Sequence, residues 1–272
     1  MDSARLIGFI DREPRHYGQL CNCASRLWAQ RGDFTKALTF MLESKSIRER
    51  IKADAWSAFN NLENIQLSMG DSELALQTHA DCMALFGGED NMPRHALRMN
   101  RLNTGRTLTF LKRFDEAAVL IDGADALNED WLMAIQSLLL RARGELGKAR
   151  EGFLKSVMAI KQGTPYQELL DAACHYKIGC ICMQQGNATT ARNCLQISHD
   201  IHELRGSSPC EFARVKYMLS MAIERSADLD DAKRSQSLLN EAKEIRFALI
   251  GTADGEVAGE SDFDMLVESQ LR

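Results

Sequence analysis

One short pattern returns six times along this chain and constrains the rest: a tight turn, then an alanine a few residues into the next apolar stretch. The turns are Arg31-Gly-Asp-Phe34 before Ala37, Met69-Gly-Asp71 before Ala75, Lys112-Arg-Phe-Asp115 before Ala117, and Arg143-Gly-Glu-Leu146 before Ala149. Gln185-Gly-Asn187 before Ala191 and Ala227-Asp-Leu229 before Ala232 complete the series, so the alanines stand 38, 42, 32, 42 and 41 residues apart. Two helices joined by a short turn need a glycine-like residue to end the first in a left-handed conformation. They also need a small side chain where they cross, and an alanine one turn into the second helix supplies it. A single such hairpin cannot bury its outer apolar face, so stacking must complete the core.

Proline placement agrees with this parsing. Pro14, Pro93, Pro165 and Pro209 each stand just ahead of a predicted first helix, where a missing N–H costs nothing. Period-2 alternation never persists, whereas helical spacing such as Leu120, Ala124, Leu127 recurs. The expected fold is therefore all-α, with about six helical hairpins over residues 1–250. At 45% hydrophobic and 26% charged residues, the 272-residue chain is rich enough to bury a large core.

The formal charge of −5 is concentrated at one end, because residues 254–272 hold six acids against one base. The rest is formally neutral and offers no overall attraction to phosphate backbones, which argues against nucleic acid as a partner. No stretch of about 18 apolar residues spans a bilayer. The eight cysteines fall mostly within apolar helical stretches, with no signal peptide before them, and read as reduced core residues of a cytosolic or nuclear protein.

The units carry Gly32, Phe34 and Ala37; Leu62, Gly70 and Ala75; Gly105, Phe114, Ala117 and Ala124; Gly144, Ala149 and Phe153; Ile178-Gly179, Gly186 and Ala191; and Leu219, Leu229 and Ala232. Over residues 15–250 this pattern resembles the tetratricopeptide (TPR) repeat. Most units run near 40 residues and lack the family's usual tryptophan, so they are similar to the longer repeats of kinesin-light-chain and MalT-like proteins. The resemblance implies a right-handed α-α superhelix whose first helices line a concave groove. It places Gln19, Asn22, Arg26, Asn60, Asn64, Arg106 and Phe110 inward, followed by Trp131, Leu138, Arg141, Tyr176, Met183, Arg214, Tyr217 and Met221. Arginine forks and asparagine amides suit an extended, acidic peptide, with aromatics and methionines filling side-chain pockets. A protein or peptide partner is the expected ligand. The alternative is an enzyme acting on a small hydrophobic molecule inside the solenoid, with Tyr176, His175, Tyr217, Arg141 or Arg106 in acid-base or oxyanion roles.

No motif demands a cofactor, a metal or a catalytic set. His199 and His202 share a helix face, as a zinc pair would, but no second His/Cys motif supplies the remaining ligands, and the stretch reads as an exposed polar face. Cys174-His175 with Cys180 and Cys182 reads as a buried seam rather than a nucleophile and base. The acidic end, residues 251–272, is expected to form a last amphipathic helix capping the solenoid. Its apolar residues Phe263, Met265, Leu266 and Val267 also allow it to fold back onto the groove as an internal competitor.

Overall fold

The structure, a computed structural model, describes residues 8–51, 55–124, 129–163, 167–206, 208–226, 231–250 and 260–267. After a four-residue turn of helix, α1 (Phe9–Arg12), twelve helices follow as six hairpins. They are α2 (Pro14–Gln30) with α3 (Phe34–Ile51), α4 (Ala55–Ser68) with α5 (Ser72–Leu85), and α6 (Arg94–Phe110) with α7 (Phe114–Asp122). The second half holds α8 (Glu129–Ala142) with α9 (Leu146–Gln162), α10 (Glu168–Gln184) with α11 (Ala188–Arg205), and α12 (Pro209–Arg225) with α13 (Ala232–Ile250). A short helix, α14 (Glu260–Asp264), ends the described chain. Each helix packs chiefly on its neighbours in sequence, as a solenoid requires.

The turns do what the pattern implied. Gly32, Gly70, Gly144 and Gly186 all adopt positive φ, between 75° and 89°. In the third hairpin, where glycine is missing, Lys112 takes the left-handed conformation itself, at φ 59°. Pro14 and Pro209 open α2 and α12, and Pro93 caps α6. Pro165, Leu127 and the sixth turn, Ala227-Asp-Leu229, lie outside the described residues.

Ala37, Ala75, Ala117, Ala149 and Ala191 are fully buried, each the fourth residue of its second helix. The sixth alanine breaks the series. Ala232 is exposed because α13 starts at it, and the fourth position belongs to Ser235. Ser235 Oγ donates to the Ser220 carbonyl at 2.9 Å across the crossing, doing polar work where the other hairpins use a methyl group. The glycines of the first helices make a matching close approach. A Cβ at Gly105 would stand 2.5 Å from Ile121 Cγ1, and one at Gly179 would stand 2.6 Å from Leu195 Cγ.

The superhelix curls far enough for its two ends to meet. Ser208 Oγ, capping α12, donates to the Gln30 carbonyl in the first hairpin's turn, 178 residues earlier. The same turn lies against Cys210 and the backbone of Leu266, as the surroundings of Gly32 show. Of the acidic end, residues 260–267 are described. Residues 260–267 pack on the first helices α10 and α12, while Phe247 and Ile250 on the last helix stay exposed.

Candidate peptide-binding groove

The face that receives the acidic end is built by two helices in register. Tyr176 and Lys177 project from α10, and Arg214 and Tyr217 from the adjacent first helix, α12. Phe263 is fully buried there, its ring stacked on Tyr217 at 4.5 Å and 22°. Leu266 and Val267 are buried as well, so positions 263, 266 and 267 form one short apolar stripe. Met265 is 52% exposed and is not an anchor, because it falls on the opposite side of that stripe.

The acidic residue beside the stripe meets a cationic wall. Arg214 Nη1 donates to Asp264 Oδ1 at 3.2 Å, and Tyr176 Oη donates to the same oxygen at 3.5 Å. The Arg214 guanidinium lies 4.2 Å over the Tyr176 ring and gives a second hydrogen bond to Glu211 Oε2 at 2.8 Å. Burial alone would weaken the arginine cation, but Glu211, Tyr176 and Asp264 hold it protonated. Burial would likewise raise the Asp264 carboxyl, yet Lys177, Arg214 and Arg141 keep it below its ordinary value. Lys177 is fully buried, and desolvation lowers its ammonium pKa from 10.5 to about 8. Its Nζ lies 5.3 Å from the Tyr176 ring centroid and has no hydrogen-bond partner among the described residues.

Further along the inner face, Arg106, Phe110, Leu138 and Arg141 line one depression of about 380 Å³. Arg106 is only 1% exposed, however, and its Nη2 binds both Glu63 oxygens at 2.9 Å as well as Asn64. Thr107 Oγ1 donates to Glu63 at 3.0 Å, and His79 lies 3.7 Å from the same carboxylate. Burial would raise the Glu63 carboxyl, but Arg106 and His79 hold it below the usual range. Arg106 and Asn64 thus join the second and third hairpins. Neither presents a free fork to a ligand.

The remaining inward positions vary. Arg26 is exposed, beside a hollow shared with Asn61 and Asn64. Asn22 accepts from Asn61 at 2.8 Å and Asn60 accepts from Asn103, so these amides stitch neighbouring hairpins, while Gln19 accepts from Arg48 at 2.6 Å within the first hairpin. Met183 is buried in the core, and Met221 packs against it. Trp131 lines a separate half-open cleft of about 680 Å³, bounded by Ala29, Leu170, His202 and Ser208. Tyr176, Tyr217, Trp131 and Met183 therefore do not enclose one pocket. The Trp131 and His202 ring nitrogens lack hydrogen-bond partners and have essentially no accessible surface, so the cleft does not reach them.

No known protein-family profile matches the chain, and no curated protein is significantly similar to it. Solved structures do align. BtubC (BKLC) from P. vanneervenii superposes with a TM-score of 0.55 at 12% identity, over 92% of this chain and 96% of that one. A chain of the APC/C hetero-tetramer Cut9-Hcn1 aligns at 0.63 and 14% identity, over 96% of this chain and 45% of that one. A putative kinesin light chain with TPR-like repeats from Podosopora anserina aligns at 0.35 and 13% identity, over 88% of this chain and 97% of that one. The fold is a TPR-like solenoid.

Within this TPR-like solenoid, the motifs that could carry chemistry are engaged structurally. The Cys174 thiol is pushed up to about 12 by burial and contacts Ser156 Oγ at 3.5 Å, which keeps it a neutral thiol. His175 Nδ1 lies 2.8 Å from the Asp171 carboxylate. His199 and His202 do not converge. His199 instead groups with Asp200 and Glu203, and Asp200 already accepts from Gln196 at 2.6 Å. None of the described helices is long and apolar enough to cross a membrane.

The family's inward positions include Tyr176, Arg214 and Tyr217, which the structure brings together around residues 260–267, and do not include Lys177 and Glu211 beside them. A lysine next in sequence to an inward tyrosine reads as solvated, and only the arrival of α12 and α14 buries it.

Proposed function

We propose that this TPR-like solenoid is an interaction scaffold that binds an acidic, aromatic-containing peptide segment on the inner face of its fifth and sixth hairpins. One observation carries this reading: the chain's own segment Glu260–Val267 lies across α10 and α12 as a ligand would, with Phe263 stacked on Tyr217 and Asp264 on Arg214. The two contacts supply the usual ingredients of peptide recognition, an apolar anchor in a slot and a charge-assisted hydrogen bond that sets register. TPR-like architecture supports protein or peptide partners in general. The small-molecule alternative has the 680 Å³ cleft in its favour, but the polar nitrogens at its edge are sealed from it.

The test is an unbiased peptide-display selection on the full chain carrying Phe263→Ala, which frees the slot. Enrichment of acidic peptides bearing an aromatic residue is expected. Arg214→Gln or Tyr217→Ala in the same background should abolish it. No enrichment, or enrichment indifferent to both substitutions, refutes the reading.

A further inference from the structure

The resident segment fits its aromatic slot well and its cationic slot badly. Phe263 is completely buried against Tyr217. Asp264, by contrast, is reached only through Oδ1, at 3.2 Å by Arg214 and 3.5 Å by Tyr176. Good charge-assisted bonds to a carboxylate run at about 2.7–2.9 Å. Two buried cationic donor atoms on the same two helices have no hydrogen-bond acceptor among the described residues. Lys177 Nζ and Arg214 Nε both lack an acceptor, on side chains that are 0% and 1% exposed. Buried donors of this kind are normally satisfied, and a charged one left unmet is the costliest sort. Lys177 Nζ lies 5.3 Å from the centroid of the Tyr176 ring and the Arg214 guanidinium 4.2 Å from the same ring, so both cations gather about the tyrosine whose hydroxyl reaches Asp264. An aspartate carboxylate is too short and has too few oxygens for this set of donors.

Resting on the peptide-groove reading above, we propose that the site formed by Tyr176, Lys177, Arg214 and Tyr217 is a receptor for a partner peptide in which an aromatic residue is followed by a phosphorylated side chain. The Phe263-Asp264 pair is its weaker resident. A phosphorylated side chain is longer than aspartate, carries a charge of about −1.5 to −2 and offers three acceptor oxygens. Those oxygens match the Lys177 ammonium, the Arg214 guanidinium and the Tyr176 hydroxyl together. The aromatic slot fixes where the phosphate falls, which separates this site from a merely basic surface.

A resident in the same chain competes at an effective concentration that short linkers raise to about millimolar. The measurement therefore uses the full chain carrying Phe263→Ala and Asp264→Ala. Fluorescein-labelled peptides with the sequence of residues 260–267 are titrated with aspartate, glutamate or phosphoserine at the position of Asp264, and binding is read by polarisation. The phosphoserine peptide is expected to bind at least about ten-fold more tightly than the aspartate peptide, the worth of one well-made charge-assisted hydrogen bond. Lys177→Met, with Lys177→Gln as a second variant and thermal melting to confirm folding, should reduce that preference to near parity. Replacing the aromatic residue of the phosphopeptide by alanine should remove its binding. A phosphoserine peptide no tighter than the aspartate one, a glutamate peptide equal to it, or a preference unaffected by Lys177 overturns the phosphate assignment and leaves the groove reading standing. If no peptide binds, the groove reading falls and the assignment falls with it.

Discussion

Arg106→Met isolates the buried ion pair that joins the second and third hairpins. Glu63 is completely buried, and its two oxygens are held by Arg106 Nη2 at 2.9 Å, with Thr107 at 3.0 Å. Removing the guanidinium leaves a carboxylate in the interior with one hydroxyl and a histidine for company. Breaking one side of such a pair costs about 3–5 kcal/mol. For a protein of this size that corresponds to a fall in melting temperature of roughly 6–20 °C. Replacing both partners, as Glu63→Met with Arg106→Met, removes the stranded charge and should recover most of the loss, since apolar replacements of buried pairs are often neutral. The pH dependence has a definite sign. The Glu63 carboxyl lies below its ordinary value in the folded protein, so its contribution is present above the unfolded pKa and disappears as pH falls through the folded one. In the single variant, burial unopposed by Arg106 favours the neutral acid, so its deficit shrinks toward acid pH. Thermal denaturation of the three variants and the wild type between pH 4 and 8 checks this, with the pH range set about the ordinary glutamate value of about 4.3. A deficit below about 1 kcal/mol, or a double variant worse than the single, refutes the buried-pair account. Arg106→Glu would set two buried acids against each other and test folding rather than ligand binding.

Two further outcomes follow from the hairpin geometry. Gly179→Ala should destabilise by about 1–3 kcal/mol in chemical denaturation, because its Cβ would meet Leu195 at 2.6 and 2.9 Å in a filled crossing. Lys112→Gly should stabilise the fold by up to about 1 kcal/mol, read as a higher denaturation midpoint, since an exposed lysine now holds a left-handed conformation that glycine adopts without strain.

Most of the hairpin architecture was legible because its signals are local. A glycine at a helix end answers a demand made by that residue's own φ, and a buried alanine answers the approach of a helix a few residues away. The one misplaced crossing, Ala232 for Ser235, arose where the turn carries no glycine to fix the register. Side-chain roles were less legible. Tyr176, Arg214 and Tyr217 were singled out through the inward positions that the family resemblance implies. Nothing near Arg106 announces Glu63, which lies 43 residues earlier and becomes its partner only when two hairpins stack.

What local chemistry dictated, then, was the repeat: helices, left-handed turns and small crossings, each set by residues close together in the chain. Tertiary structure decided the rest. Small rotations between successive hairpins accumulate, and only their sum brings the Gln30 turn to Ser208 and leaves an inner face that Phe263 and Asp264 can enter. The place of residues 260–267 is likewise tertiary: Tyr217 offers Phe263 a ring to stack on, and the cations of α10 and α12 offer the neighbouring carboxylate a countercharge.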